Sequence, residues 1–185
     1  MSHDAVVMRY ALITMALLTA TGCDKPPDPN QAGAASATSS ASGPTKAATP
    51  PAAPLAEPDP KLLKPEAAKD KGPAGFRVRF TTTKGDFIVE CHRDWSPHGC
   101  DRLYNLVKIG YFSDIAFFRA VKGFVVQFGL HGHPKVSKLW EAASIPDDPP
   151  KEGNKRGRLT FGKAGPNSRS AQMFINLKDN DALDS

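Results

Sequence analysis

Three polar side chains set beside Phe, Val and Met stand out in two segments of this 185-residue chain. Phe117 to Gly129 reads FFRAVKGFVVQFG and carries Arg119 and Gln127; Gly162 to Ile175 reads GKAGPNSRSAQMFI and carries Gln172. A guanidinium is a permanent cation with a planar fork of donors, and a glutamine amide both donates and accepts. Set among Phe and Val, these groups suit a site that grips an apolar group and hydrogen-bonds the backbone beside it. The first segment alone has a simpler reading, an arginine with a packed stem and a solvated head. The second segment shifts the balance toward a site.

The elements that position these residues follow from the pattern. Phe117 to Phe128 reads as strand, tight turn at Lys122-Gly123, and strand. Alternation along Phe124 to Phe128 predicts Val125 and Gln127 on one face and Phe124, Val126 and Phe128 on the other. Gly165-Pro166-Asn167-Ser168 has loop chemistry. Ala171 to Leu177 reads as a short strand with Gln172 two residues before Phe174. Upstream, Gly99 to Ile109 reads as a helix.

The two segments together resemble the cyclophilin family of peptidyl-prolyl cis/trans isomerases. The family pattern F-H-R-x-x-x-x-F-x-x-Q-x-G is met by Phe117-Phe118-Arg119, Phe124, Gln127 and Gly129. The pattern A-x-A-G-P-N-x-x-x-S-Q-F-F-I is met by Ala164-Gly165-Pro166-Asn167, Gln172, Phe174 and Ile175. Thr83 to Glu90, Pro97, Asn105-Leu106-Val107 and Gly110-Tyr111-Phe112 are similar to the family's first hairpin, helix and helix exit. The resemblance implies a mainly β fold, an antiparallel closed β-barrel with a capping helix. Its pattern runs on past Leu183-Asp184-Ser185, so the expectation is a barrel incomplete at its C-terminus.

The resemblance also implies roles. Rotation about a peptide bond must cross about 18–20 kcal/mol, and no covalent bond is made or broken, so no cofactor or metal is expected. Arg119 would donate to the prolyl nitrogen as the amide twists, and Gln127 would hold the substrate carbonyl. Phe118, Phe124, Val125, Gly162, Ala164, Gln172 and Phe174 would bind the substrate, with Phe124, Val125 and Phe174 forming the pocket for the pyrrolidine ring. Several positions depart from the family pattern: Phe118 replaces His, Val125 a frequent Met, Met173 a Phe, Gly162 an Ala, and Lys163 an Asn. Ala182 falls where cyclosporin-sensitive members carry Trp. Altered peptide preference and weak cyclosporin binding are expected. The rival reading is a non-catalytic module of the cell envelope that kept the shape and binds peptides or scaffolds, since fold does not fix function.

The N-terminal part reads differently. Tyr10 to Ala20 is an apolar run of 11 residues, shorter than the roughly 20 that span a bilayer as a helix. It leads into Thr21-Gly22-Cys23, which resembles a bacterial lipoprotein signal with Cys23 as the lipidated residue. Residues 24–75 hold 11 of the 17 prolines and no hydrophobic period, which predicts a disordered Pro/Ala-rich linker. The expected organisation is therefore signal peptide 1–23, linker 24–75 and isomerase domain 76–185. That places an isomerase for exported proteins on the periplasmic face of the envelope, tethered to the membrane through lipid, monomeric, with proline-containing polypeptides as partners.

Charge and cysteine usage narrow the field further. Residues 76–185 hold 17 Lys/Arg and 12 Asp/Glu, so the net charge of +5 lies in the domain. The cluster Lys151, Lys155, Arg156 and Arg158 has no interleaved aromatics and reads as a solvated loop, not a nucleic-acid surface. Cys91 and Cys100 are either a disulfide or two buried thiols. Cys91 and His92 point to opposite faces of a strand, which argues against a shared zinc.

Overall fold

A computed structural model describes Val6–Val7 and residues 55–184. Cys23 and most of the expected linker lie outside the described residues. The strands form two sheets. In the first, β2 (Gly75–Thr82) and β3 (Gly85–His92) make a hairpin, and the two-residue β1 (Val6–Val7) pairs parallel to β2. The second has the order β4 (Arg119–Ala120), β5 (Val125–Phe128), β7 (Met173–Asn176), β6 (Leu159–Phe161), antiparallel throughout. These ladders leave β1 and β3 as the edges of the first sheet and β4 and β6 as those of the second. The closed barrel implied by the resemblance is not made by strand pairing among the described residues.

The sheets share one core. Val78 and Phe80 from β2 pack with Phe128 from β5 and Met173 from β7. Phe80 stacks on Phe87 at 4.9 Å and meets Phe112 and Phe128 edge-on. Helix α1 (Pro97–Lys108) starts two residues before the expected helix, because Pro97 takes the first position, where its missing N–H costs nothing. It buries Leu103, Leu106 and Val107. A second helix, α2 (Pro134–Ala142), buries Val136 and Trp140, four residues apart on one face.

The domain begins earlier than residue 76. Residues 59–72, assigned to the linker by composition, lie as a strap against both helices. Leu62 is 8% exposed and belongs to the core. Its carbonyl accepts from the Trp140 indole at 2.9 Å. Asp70 and Asn105 exchange two hydrogen bonds, the Gly72 N–H donates to Asp101, and Lys108 pairs with Asp70. A few anchors suffice here because the helices already offer apolar and hydrogen-bonding partners, which composition alone does not reveal.

The start of α1 is held from a distance. Ser96, its N-cap residue, makes no capping bond; Asp148 does so instead. The Asp148 carboxylate accepts from Ser96 Oγ (2.6 Å) and from the His98 and Gly99 N–H groups (both 2.9 Å). It also pairs with Arg169 at 3.1 Å, and its side chain is only 5% exposed. Arg169 in turn binds Asp147 at 3.0 Å and the Pro146 carbonyl, and lies over the Phe161 ring. Nearby, a disulfide joins Cys91 at the end of β3 to Cys100 in the first turn of α1, with a Cα–Cα distance of 6.0 Å.

Two outcomes are expected. Reducing the Cys91–Cys100 bond, which spans a separation of 9 residues, should cost roughly 2–3 kcal/mol of unfolding free energy through the freed chain entropy of the unfolded state. Denaturant titration with and without reductant measures it, and coincident curves would contradict it. The second outcome concerns acid. Burial opposes the charge on Asp148, but Ser96, the helix N–H groups and Arg169 outweigh it and hold its pKa below the ordinary 3.8. Asp147 is held low by the Asn167 N–H and, against some burial, by Arg169. Groups depressed in the fold contribute stability that is complete above their unfolded pKa and is lost as pH falls through their folded values. Unfolding midpoints should therefore drop below the ordinary carboxylate value, and Asp148→Asn should flatten that drop while lowering stability at neutral pH.

Candidate functional site

The site is built on one face of the second sheet. Register places Arg119 opposite Gln127, Gln127 opposite Phe174, and Phe174 opposite Thr160. Residues two apart on a strand share a face, so Gln172 and Val125 belong to the same side. The turn expected at Lys122-Gly123 is formed. Val121 N–H donates to the Val125 carbonyl and Phe124 N–H to the Val121 carbonyl, with Gly123 at φ +69°. Phe124 sits in this turn, one residue before the β5 ladder. It is therefore free of the alternation expected for it and can lie near Arg119.

Arg119 is exposed, and its Nη1 donates to Gln127 Oε1 at 2.6 Å. The guanidinium carbon lies 5.9 Å from the centre of the Phe124 ring, a cation–π contact. Among the described residues Arg119 forms no ion pair with a carboxylate. Its charge is thus oriented by a neutral amide and a ring, and is not neutralised. With Gln127 Oε1 facing Arg119, the two N–H groups of the Gln127 amide remain as donors for a ligand carbonyl.

The other expected residues fall into three groups. Phe174 is half-buried in the same row, Gln172 is half-buried beside it, and the Gly162 N–H donates to the Gln172 carbonyl at 2.9 Å. The hydrogen-bond partner of Arg119 is Gln127, not Gln172. Phe118 is 43% exposed at the rim, whereas Phe117 turns inward against Phe128 at 5.1 Å. Ala164 is exposed in the loop, where its N–H donates to Ser168 Oγ. Val125 lies within the chain itself, 2% exposed. It can form the floor behind a pocket but not its open wall. Arg169 and Asp148 tie loop 162–171 to the start of α1, and no role for them was evident in the sequence because the pair is 21 residues apart.

A cavity of about 910 Å³ lies elsewhere. It lies between β3 and β6 and is lined by apolar residues such as Val89, Leu159 and Ile175, with Trp95 and Arg158 at its margin. The Cys91–Cys100 disulfide borders it; Arg119, Phe124, Gln127 and Phe174 do not. Residue types and register, not cavity size, mark the candidate site. Among the described residues, no cluster of His, Cys, Asp or Glu has the makings of a metal centre.

Residues 77–185 match the family model for cyclophilin type peptidyl-prolyl cis-trans isomerases. The chain belongs to this family. The peptidyl-prolyl cis-trans isomerase CYP65 of Arabidopsis thaliana is 30% identical over 128 residues, 68% of this chain and 21% of that protein. The isomerase-like 2 protein of Emericella nidulans is 32% identical over 117 residues, 62% of this chain and 20% of that one. Arabidopsis CYP18-2 is 33% identical over 110 residues, 58% of this chain and 67% of that one. The chain thus spans about a fifth of the length of the first two relatives. A solved cyclophilin type isomerase from Cryptosporidium parvum is similar at a TM-score of 0.49 and 24% identity, covering 58% of this chain and 70% of that one.

The register that aligns this cyclophilin face depends on a close approach at the end of β5. Gly129 has φ +104°, and a Cβ there would stand 2.2 Å from the Ala171 carbonyl oxygen. Gly129→Ala should therefore cost more than about 2 kcal/mol, from left-handed strain together with backbone collision. Denaturant unfolding measures the loss, and a variant within experimental error of the parent would contradict it.

Proposed function

We propose that this chain is a peptidyl-prolyl cis/trans isomerase for exported proteins, with Arg119 stabilising the twisted X-Pro amide. The observation that carries the reading is the oriented, carboxylate-free guanidinium of Arg119 beside Phe124 and Gln127. In the planar amide the prolyl nitrogen lone pair is delocalised into the carbonyl and accepts poorly. Twisting localises it and makes it an acceptor. A donor fixed at that nitrogen binds the twisted state more strongly than either planar isomer, which is the condition for lowering the barrier. Phe124 and Phe174 offer an apolar surface to the pyrrolidine ring, and the Gln127 amide N–H groups suit the substrate carbonyl. The two sheets, which share Phe80, Phe128 and Met173 in one core, read as two arcs of a barrel wall that supports this face.

Arg119→Ala should lower kcat/KM for a proline peptide more than tenfold, in line with the loss of one transition-state donor, with the unfolding midpoint unchanged. Exchange NMR of a cis/trans peptide measures it without a coupled protease, and unchanged turnover would remove the catalytic reading. The non-catalytic alternative predicts peptide binding without acceleration in the same experiment.

Export and anchoring rest on the apolar run ending at Gly22-Cys23. Cys23 is the lipidation site in this reading, and residues 24–58 supply the tether to the periplasmic face. Cys23→Ser should release a soluble exported form on fractionation. A parent chain that is already soluble in the periplasm would overturn the anchor.

A further inference from the structure

Next to Phe174 and Val125, on the same face of the sheet, lies a buried asparagine network. Asn154, Asn176 and Asn180 are 7%, 1% and 5% exposed. Asn180 Nδ2 donates to Asn176 Oδ1 (2.8 Å) and to the Phe124 carbonyl (3.1 Å). Asn176 Nδ2 reaches the Arg158 carbonyl (3.1 Å) and Asn154 Oδ1 (3.3 Å). Asn154 Oδ1 also accepts from Thr160 Oγ1 at 2.7 Å. Thr160 is the register partner of Phe174, and Asn176 that of Val125. The network therefore touches the backbone of one expected pocket wall and the strand neighbours of two more positions.

We propose that Asn180 is a positioning residue, fixing Phe124 and through its ring the Arg119 guanidinium. This rests on the functional reading above. Phe124 stands one residue before β5, where the β5–β7 register reaches it through a single bond, from the Leu177 N–H. Its carbonyl is held by two donors, the Leu177 N–H (2.8 Å) and Asn180 Nδ2. Asn180 keeps this contact at a cost, because its Oδ1 is buried without a hydrogen-bond partner. Burying an unsatisfied acceptor is unfavourable. An apolar residue of like volume would avoid that cost but would release the Phe124 carbonyl. The retained amide is accounted for by what its donor side holds.

The test uses Asn180→Ala and the volume-conserving Asn180→Leu, which removes the orphaned acceptor along with the donor. Each variant should lower kcat/KM for a proline peptide about fivefold, the factor implied by a loss near one hydrogen bond, with KM rising as the Phe124 surface shifts and kcat falling as the Arg119 donor shifts. Each should also shift the NMR resonance of the Arg119 Nε–H group, which senses the ring current of Phe124. Asn105→Ala, which loses a buried asparagine bonded to the strap, is the control for destabilisation alone and should leave both readouts unchanged. Unaltered kcat/KM and unaltered Arg119 resonance in both Asn180 variants would overturn the proposal. If the parent chain neither isomerises nor binds the peptide, the functional reading fails. The resonance then decides alone: movement supports positioning of the Phe124–Arg119 pair, and no movement overturns it.

Discussion

Much of this fold hangs on one buried guanidinium. Arg169 joins the turn at Pro146–Asp148 to the strand that leads into β7, and Asp148 carries the connection on to the N-terminus of α1. A carboxylate at a helix N-terminus satisfies orphan N–H groups and meets the positive end of the helix dipole. Here that carboxylate comes from 49 residues away. A buried ion pair is weak evidence of net stability, because desolvation offsets its attraction. Its contribution is geometric, since one carboxylate meets Arg169, Ser96 and the helix N–H groups together. Gly99 shows how tight that arrangement is, since a Cβ there would stand 2.3 Å from Ser96 Oγ.

The consequence for the site is a division of labour between rigid and adaptable parts. The sheet sets the row Arg119, Gln127, Phe174 by register, which leaves little freedom along the strands. The turn at Gly123 and the asparagines behind it set Phe124. Loop 162–171 is closed from within by Ser168, whose Oγ accepts from the Ala164 and Gly165 N–H groups and donates to the Gly165 carbonyl. Asp147 and Asn167 clamp its outside, each N–H donating to the other's side chain. Pieces of chain that are loops by sequence are thus as firmly placed as the strands.

Local chemistry was legible in the sequence and long-range chemistry was not. The hairpin turn, helix α1 and the residues that share the site face follow from period, Gly/Pro punctuation and motif. Phe124 escaped the alternation assigned to it because the turn claims it. Helix α2 carries a proper signal, Pro134 at its start and Val136 and Trp140 four apart, in a stretch outside the two motif segments. The basic run at 151–158 reads as solvated, and Lys151, Lys155 and Arg156 are exposed; surface contacts still tie it down, Lys151 to the Asp94 carbonyl, Lys155 to Asp181, and Arg158 to Glu152 and the Trp95 ring. The strap was missed because proline and lysine dominate its composition while one leucine and a few backbone groups do the anchoring.

That strap has a mechanical meaning. A pull applied at residues 55–58 meets Leu62 and the Trp140 indole first, then the Asp70–Asn105 bonds. Tension is therefore delivered to the flanks of α1 and α2 and spread across several bonds before it reaches Gly75, where β2 begins. The sheet that carries Arg119 is not on that path. Tugging, shear or crowding at the upstream end would be absorbed by the helical side of the molecule, leaving the spacing between the arginine and its neighbours undisturbed.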